Sequence, residues 1–449
     1  MELFDTRKAL EEARKELSHA LYQNDAAVRV IARLVMERDA ARREVQLSIQ
    51  ANANAAAVGA HGNDSNKRQR VEEDSSAKTA DAMPEEASAG TGAGGIPSVV
   101  KKQLKDTWEK LCKTRKAKTK ATPSYATFDA IQSYQITGKK SYHKTSVKGI
   151  AGMVNDSENK NLIVTATKDK NLTVFDLEQD QVSQNISAKL ALKDGNPSSI
   201  HGCEGTVALL GSNGKIQIYQ KGSGDGAEFA PVEIVIDSDA VVEEDLVMVK
   251  VHPTGRHVFA AESNGKIHLF DIDNSIAKIA ATWSAGDDEG KNKCTSIGIH
   301  PDGLILGIGR EDGSINLWDL NTEKLAATLT DGAAAGPVTA IEFSEKGVHL
   351  ASASKSGVTV WDLRKQKSIA SLEHEGKEVT CMSFCPIGKY FSFGTVSGDV
   401  IVSVVKDWEK KIAFSDGKGK VSGLVWGLEA KSLLSSTDTS RIVKQWGEN

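Results

Sequence analysis

The chain has 449 residues, with 56 lysines and arginines against 60 acidic residues and a formal net charge of −4. That length allows two or three domains with at least one large core, and the balanced charge excludes a whole-chain preference for nucleic acid or anionic membranes. No apolar run reaches the roughly 18 residues of a membrane span. The 5 cysteines are sparse in a chain this long, which favours reduced thiols in the cytosol or nucleus.

Residues 1–48 predict a helix for oligomerisation. Residues 5–48 contain no glycine or proline, and their apolar positions fit a heptad with Leu10 at position a. A second apolar column leaves only a narrow polar strip, so the helix must be surrounded by others. We therefore expect a bundle of more than two helices formed by self-association, rather than docking on the rest of the same chain. The expected contact residues are Leu10, Leu17, Ala20, Leu21, Asn24, Ala27, Val28, Ile31, Leu34 and Val35.

Residues 49–96 change composition abruptly to alanine, glycine, serine and asparagine, which predicts a disordered low-complexity linker. This linker contains a short basic cluster, Lys67, Arg68 and Arg70. Such a cluster fits recognition by a nuclear import receptor, and solvated charge is the alternative.

Residues 97–121 predict a basic helix. Val100, Leu104, Trp108 and Leu111 share one face of it, and the remaining positions are rich in lysine. We expect the apolar face to cover another part of the protein. The basic face either meets phosphate or an acidic partner, or is solvated.

Residues 122–449 are predicted to form the last domain, and the chain becomes periodic from about residue 141. Seven β-rich runs, such as EDGSINLWDL (311–320) and SKSGVTVWDL (354–363), recur at spacings near 40–45 residues, typical of a seven-bladed WD40 β-propeller. The last run ends with the chain, so its outer strand should come from before the first run, with residues 125–135 as the candidate. Residues 222–246 predict an insertion in the third blade. The blade anchors are Phe175, Tyr219, Phe270, Trp318, Trp361 and Trp446, with Ser403 at the equivalent position of the sixth blade.

Enzyme motifs are scarce. The sequence lacks a phosphate-binding G-x-x-x-x-G-K-S/T loop, a G-x-S-x-G nucleophile motif and an H-E-x-x-H zinc motif. His252-Pro253 and His300-Pro301 belong to the repeated turn and are interpreted as structural. We therefore predict no catalytic residue, no metal ligand and no cofactor-binding residue.

The segment ARKELSHALYQNDAAVRVIARLVMERDAAR (13–42) closely resembles the coiled-coil segment of the pre-mRNA-processing factor 19 family, and IHPDGLILGIG (299–309) resembles a blade of that family's propeller. The resemblance covers essentially the whole chain. It implies a coiled-coil homotetramer, nuclear localisation, and a role in pre-mRNA splicing and spliceosome activation with other subunits of the nineteen complex. It also implies a part in DNA repair and a propeller that presents partners or substrates for ubiquitination.

Enzymatic activity in that family belongs to an N-terminal U-box, which binds a ubiquitin-charged E2 and makes its members E3 ubiquitin ligases. No segment of this sequence matches a U-box, so E2 is expected as a partner only if a U-box precedes this chain. Three interpretations remain open: a scaffold, a fragment of an active ligase, and a different WD40 adaptor or corepressor. Direct RNA contact is left undecided.

Overall fold

The structure is a computed structural model that describes residues 95–120, 125–141, 143, 149–155, 162–192, 195–222, 228–235, 246–284, 293–330, 336–415 and 417–448. The predicted oligomerisation helix and import cluster lie outside these residues. No helix in the described part is long and apolar enough to cross a membrane.

Three α-helices are described: α1 (Ser98–Lys120), α2 (Phe128–Gln132) and α3 (Lys189–Leu192). α1 follows Pro97, whose carbonyl accepts the first helical bond from the Lys101 amide at 2.9 Å. α2 begins after Thr127, whose hydroxyl accepts a hydrogen bond from the Ala130 amide at 3.2 Å and caps the helix.

The first strand of the structure is β1 (Gln135–Lys140), and two antiparallel runs of four strands follow it. The first sheet contains β2 (Ile150–Asn155), β3 (Leu162–Thr167), β4 (Asn171–Asp176) and β5 (Gln181–Ser187). The second run contains β6 (Pro197–Cys203), β7 (Thr206–Gly211), β8 (Ile216–Lys221) and β9 (Phe229–Val235).

The next run contains β10 (Leu246–Val251), β11 (His257–Glu262), β12 (Lys266–Asp273) and β13 (Ile276–Ser284). Its outer strand β13 pairs in parallel with β9, so these two runs form one eight-stranded sheet. The sequence led us to expect an insertion in the third blade at residues 222–246. Residues 229–235 instead form β9, which pairs antiparallel with β8. They supply the outer strand of the second run.

Three more antiparallel runs of four strands follow. They contain β14 (Cys294–Ile299), β15 (Ile305–Arg310), β16 (Ile315–Asp319) and β17 (Lys324–Leu329); β18 (Ala340–Phe343), β19 (His349–Ser354), β20 (Gly357–Asp362) and β21 (Lys367–Leu372); and β22 (Val379–Phe384), β23 (Tyr390–Thr395), β24 (Asp399–Val404) and β25 (Asp407–Ser415). The last strands are β26 (Val421–Trp426), β27 (Ser432–Thr437) and β28 (Val443–Gly447).

The final sheet takes its fourth strand from the start of the repeats, because β1 pairs antiparallel with β28. The pairing joins Ile136 to Trp446 and Lys140 to Val443. The prediction that an upstream strand completes the last sheet is confirmed, but its position was wrong. Residues 128–132 are helical, and the strand begins at Gln135.

The first strands of successive runs contact one another in a closed cycle, since β2 meets β6, β6 meets β10 and so on to β26, which meets β2. Each sheet is therefore covered on both faces by its neighbours near the centre. This explains why β3, β7, β11 and β23 are buried along their whole length, whereas the outer strand β5 alternates between exposed and half-buried residues. The arrangement is compatible with a β-propeller.

The sheets have two ends. We call one end the helix face, and it carries the connections between first and second strands and between third and fourth strands. Both α1 and α2 contact residues of these connections. The opposite face carries the connections between second and third strands and those that join successive sheets.

Candidate interaction surfaces

The six anchors predicted from the sequence all lie on the third strand of a run: Phe175 on β4, Tyr219 on β8, Phe270 on β12, Trp318 on β16, Trp361 on β20 and Trp446 on β28. Trp361 and Trp446 donate their indole N–H groups to Ser352 and Ser435 of the second strand, each at 2.9 Å. Trp318 differs, because Ile308 occupies the position that those serines have in the other sheets. The indole N–H of Trp318 therefore has no hydrogen-bond partner among the described residues.

The sixth run lacks an aromatic anchor on its third strand, and Trp408 on its fourth strand supplies an aromatic side chain instead. Ser403 is fully buried on β24 and donates its hydroxyl to the Trp408 carbonyl at 3.0 Å. The Trp408 ring packs edge-on against Phe391, with 6.3 Å between ring centroids. An aromatic side chain from the fourth strand therefore contributes to the core that a third-strand tryptophan fills elsewhere.

The two His-Pro turns connect neighbouring sheets on the helix face. His252 Nε2 is 2.8 Å from the carbonyl of Gly303, which lies between β14 and β15. His300 Nε2 is 3.1 Å from the carbonyl of Gly347, which lies between β18 and β19. Burial lowers the pKa of His252 to about 3, so its imidazole is neutral and its Nε2–H donates to the carbonyl. The structural interpretation of these histidines is confirmed.

An ion pair spans the inside of the ring. Lys250 on β10 and Glu342 on β18 belong to sheets separated by a third, and their Nζ and Oε2 atoms are 3.8 Å apart. Burial raises the pKa of Glu342, while the Lys250 ammonium lowers it. His201 beside them has a pKa well below its usual value because of burial and the same lysine. The opposite charges of Lys250 and Glu342 offset each other, and His201 Nδ1 accepts a hydrogen bond from the Val251 amide at 3.1 Å.

A shallow groove of about 380 Å³ opens at the rim of the third run, lined by Arg256, Asp271, Asp273, Asn274, Ile276, Lys278 and Ala280. The Arg256 side chain in this groove already forms an ion pair with Asp271. The Arg256 guanidinium donates to both carboxylate oxygens of Asp271, at 2.6 and 3.1 Å. That fork raises the pKa of Arg256 and leaves little of its donor capacity for a ligand.

No metal centre or activated nucleophile emerges from the described residues. No group of three or more histidine, cysteine or acidic side chains there is placed to hold a metal ion. All five cysteines are free thiols. Burial raises the pKa of Cys294 to about 12, which keeps this thiol protonated and unreactive.

Helix α1 docks on the helix face through its first turns. Ile96, Val100 and Leu104 are buried in one cluster with residues of the third and fourth runs. Trp108 and Leu111, which the sequence places on the same face, are half-buried. The partners from the sheets include Phe259, Leu269, Ile297, Leu306 and Leu320.

Polar contacts fix the direction of α1 across this face. Lys101 forms a salt bridge with Glu323, in the connection between β16 and β17. The Cys112 thiol lies 3.6 Å from an Asp302 carboxylate oxygen, in the connection between β14 and β15. Lys102, Lys105, Lys110 and Lys113 are exposed. The docked face of α1 thus buries apolar side chains and leaves the predicted basic side open to solvent.

Helix α2 is a second docked element, and the sequence analysis missed it. Ile131 is fully buried, and the Tyr134 hydroxyl donates to the Ala430 carbonyl at 2.6 Å. From the sheet side, the Tyr390 hydroxyl donates to the Ala126 carbonyl at 2.7 Å. The local signal that could have identified α2 is Thr127 as an N-cap before the helix-compatible residues 128–132.

Two segments of the chain match known family models. Residues 1–47 match the family model described as Prp19/Pso4-like. Residues 236–407 match the β-propeller model described as Nucleolar protein 10-like, N-terminal domain.

Several curated relatives match over nearly the full chain. Pre-mRNA-processing factor 19 of Oryza sativa subsp. japonica is 30% identical over 464 residues, which cover 99% of this chain and 81% of the relative. Pre-mRNA-processing factor 19 homolog 2 of Arabidopsis thaliana is 30% identical over 437 residues, covering 95% and 77% respectively. Pre-mRNA-processing factor 19 of Bos taurus is 29% identical over 445 residues, which cover 98% of this chain and 82% of the relative. The chain therefore belongs to the pre-mRNA-processing factor 19 family.

Proposed function

We propose that this protein is an oligomeric scaffold of the nineteen complex, acting in pre-mRNA splicing and spliceosome activation in the nucleus. The observation that carries the proposal is the match to relatives named for pre-mRNA processing over 99% of this chain. The match includes the N-terminal segment as well as the repeats, so the whole domain order supports a shared role.

The propeller part of the proposal is a seven-bladed WD40 ring that binds partners. It is supported by the closed cycle of contacts between first strands, counting the eight-stranded sheet as two blades.

The oligomeric part of the proposal assigns residues 1–48 to a coiled-coil homotetramer. It is supported by the match of residues 1–47 to the Prp19/Pso4-like model and by the apolar columns of the heptad. Four propellers on linkers would strengthen weak individual contacts through high effective concentration. Other nineteen-complex and spliceosome proteins are the proposed partners, and E2 is one only if a U-box precedes the chain.

The test replaces the endogenous protein with a variant that carries Ile31→Asp and Leu34→Asp. We expect introns to be retained, because two charges in the apolar seam separate the chains. The matched control carries Arg29→Gln and Arg33→Gln, which lie on the narrow polar strip of the predicted helix, and it should splice normally. Intron retention is read from total RNA sequencing. Normal splicing after loss of the endogenous protein would sink the scaffold proposal, and equal retention in both variants would remove its oligomeric part.

The ligase-fragment alternative predicts a different outcome. If the propeller presents substrates to a U-box elsewhere in the native protein, ubiquitin conjugates on bound partners should fall when the propeller is deleted. Splicing that continues while those conjugates disappear would favour this alternative over the scaffold.

A further inference from the structure

Five basic side chains meet on the helix face of the fifth and sixth runs. They come from four separate connections: Lys346 between β18 and β19, Arg364 and Lys365 between β20 and β21, Lys389 between β22 and β23, and Lys406 between β24 and β25. All five are exposed. We call them the turn cluster. The antiparallel topology places all four connections at one end of two neighbouring sheets, so residues up to about sixty positions apart become neighbours.

Three of these cations act on the His349 ring, which lies at the start of β19. Its pKa is lowered by burial first and then by Arg364, Lys406 and Lys346, with only Asp362 acting in the other direction. The Lys346 side chain also reaches the sixth run. A methyl group added to the Cα of Gly388 would lie 3.4 Å from the Lys346 Cε. Cations from two sheets therefore share one small area.

Asp362, at the end of β20, leaves the side chains of Arg364 and Lys365 exposed. Asp362 is buried, and one of its carboxylate oxygens accepts the backbone amides of Arg364 and Lys365 at 2.9 and 3.2 Å. The Arg364 guanidinium lies 3.9 Å from that oxygen, and its side chain remains 75% exposed. Asp407 pairs with Lys410 at 3.4 Å. The carboxylate of Asp362 thus holds the turn between β20 and β21 in place, while the side chains of Arg364 and Lys365 remain exposed to solvent.

An aromatic surface borders the turn cluster. Tyr125 is 40% exposed, and the Lys389 ammonium lies 5.2 Å from the centre of its ring. The Tyr390 hydroxyl anchors the next residue, Ala126, by its carbonyl, so the tyrosine sits on a fixed segment. An exposed ring beside several lysines can stack a base while the cations contact phosphates.

We propose that the turn cluster binds the sugar-phosphate backbone of single-stranded RNA and that Tyr125 stacks one of its bases. One observation favours RNA over an acidic peptide. The exposed ring has a use with a nucleobase that it lacks with a chain of carboxylates. Direct RNA contact goes beyond the scaffold role proposed above.

The experiment measures fluorescence anisotropy of a labelled single-stranded oligouridine, about 20 nucleotides long, titrated with the full chain at several KCl concentrations. The variant carries Lys346→Gln, Arg364→Gln, Lys365→Gln and Lys406→Gln. We expect its affinity to fall at least tenfold near 100 mM salt, and the slope of log K against log salt to decrease by about 3, since each phosphate contact on a single strand contributes roughly 0.7.

The matched control removes four exposed lysines from the opposite face: Lys215, Lys355, Lys418 and Lys420, each changed to glutamine. It has the same net charge as the cluster variant, and we expect less than about a twofold change in affinity. Equal losses in the two variants would mean that net charge alone governs binding and would overturn the proposal. Undetectable binding by the unaltered chain would also overturn it. Because no spliceosomal protein is present, these outcomes are independent of the splicing test.

Two further measurements separate RNA from other occupants. Tyr125→Leu should weaken binding about fivefold or more without changing the salt slope, because stacking releases no counterions. A polyglutamate peptide of equal charge should compete poorly. If it displaces the oligouridine as well as unlabelled RNA does, the cluster is a site for an acidic protein segment, and the proposal is wrong. Circular dichroism and thermal unfolding of each variant check that the sheets remain folded.

Discussion

Replacing Leu104 by alanine should release α1 from the sheets without unfolding them. The attachment of α1 depends on three buried apolar side chains, Ile96, Val100 and Leu104, with exposures of 4%, 4% and 1%. At about 2 kcal/mol for each buried side chain, the docking is worth roughly 6 kcal/mol before the cost of ordering the segment. Leu104→Ala removes about 3 kcal/mol of this, counting the cavity it leaves. Alanine is at least as good a helix former as leucine, so the loss is one of docking alone.

Hydrogen exchange followed by mass spectrometry is the assay. Amides of residues 101–112 should exchange about a hundredfold faster in Leu104→Ala, since about 1.4 kcal/mol corresponds to a factor of ten. Lys102→Ala, an exposed position on the same helix, should leave exchange unchanged. An Asp302→Cys change opposite Cys112 allows a disulfide that should restore protection in the Leu104→Ala background. If strand β11 loses protection to the same extent as α1, the helix is an integral part of the core and the reasoning is refuted.

Two further predictions concern the turns of the helix face and its histidines. Gly303→Ala should lower the free energy of unfolding by more than about 2 kcal/mol, because its φ of +77° is left-handed and the new Cβ would lie 2.5 Å from His252 Nε2. Gly336→Ala, also left-handed at +94° but in open space, should cost only about 1 kcal/mol, and equal losses in urea unfolding would show that the His252 contact imposes no constraint. Stability should also fall with acidity, since the folded pKa of His252, about 3, lies below the unfolded value near 6.5 and only the unfolded chain gains the proton between them. The fall should reach about 1.4 kcal/mol for each pH unit in that window, and His252→Gln should reduce it; an unchanged slope in urea unfolding between about pH 6 and about pH 4 would contradict this assignment.

Strand positions were predictable where the repeats are regular. Each anchor from Phe175 to Trp446 occupies the third strand of its run, because burial on both faces requires apolar residues there and the hairpin turns repeat. The outer strands were harder to predict. β1 has the sequence QITGKK and is largely exposed, so no apolar alternation distinguishes it from a loop.

The interaction surfaces were less predictable for a topological reason. Helix α1 could be identified from its own periodicity, and Val100 and Leu104 are indeed the buried positions. The turn cluster has no local motif. Lys346 and Lys406 are isolated lysines in short turns, and only the alignment of connections from two sheets brings them to Arg364.

The molar mass of the full chain in solution tests the scaffold account most directly. Light scattering coupled to size-exclusion chromatography should give four times the mass of one chain for the unaltered protein. The Ile31→Asp and Leu34→Asp variant should give the mass of a single chain while its β-sheet circular dichroism is retained. A single-chain mass for the unaltered protein, or an unchanged tetramer in the variant, would contradict the assignment of residues 1–48 as the element that assembles four propellers.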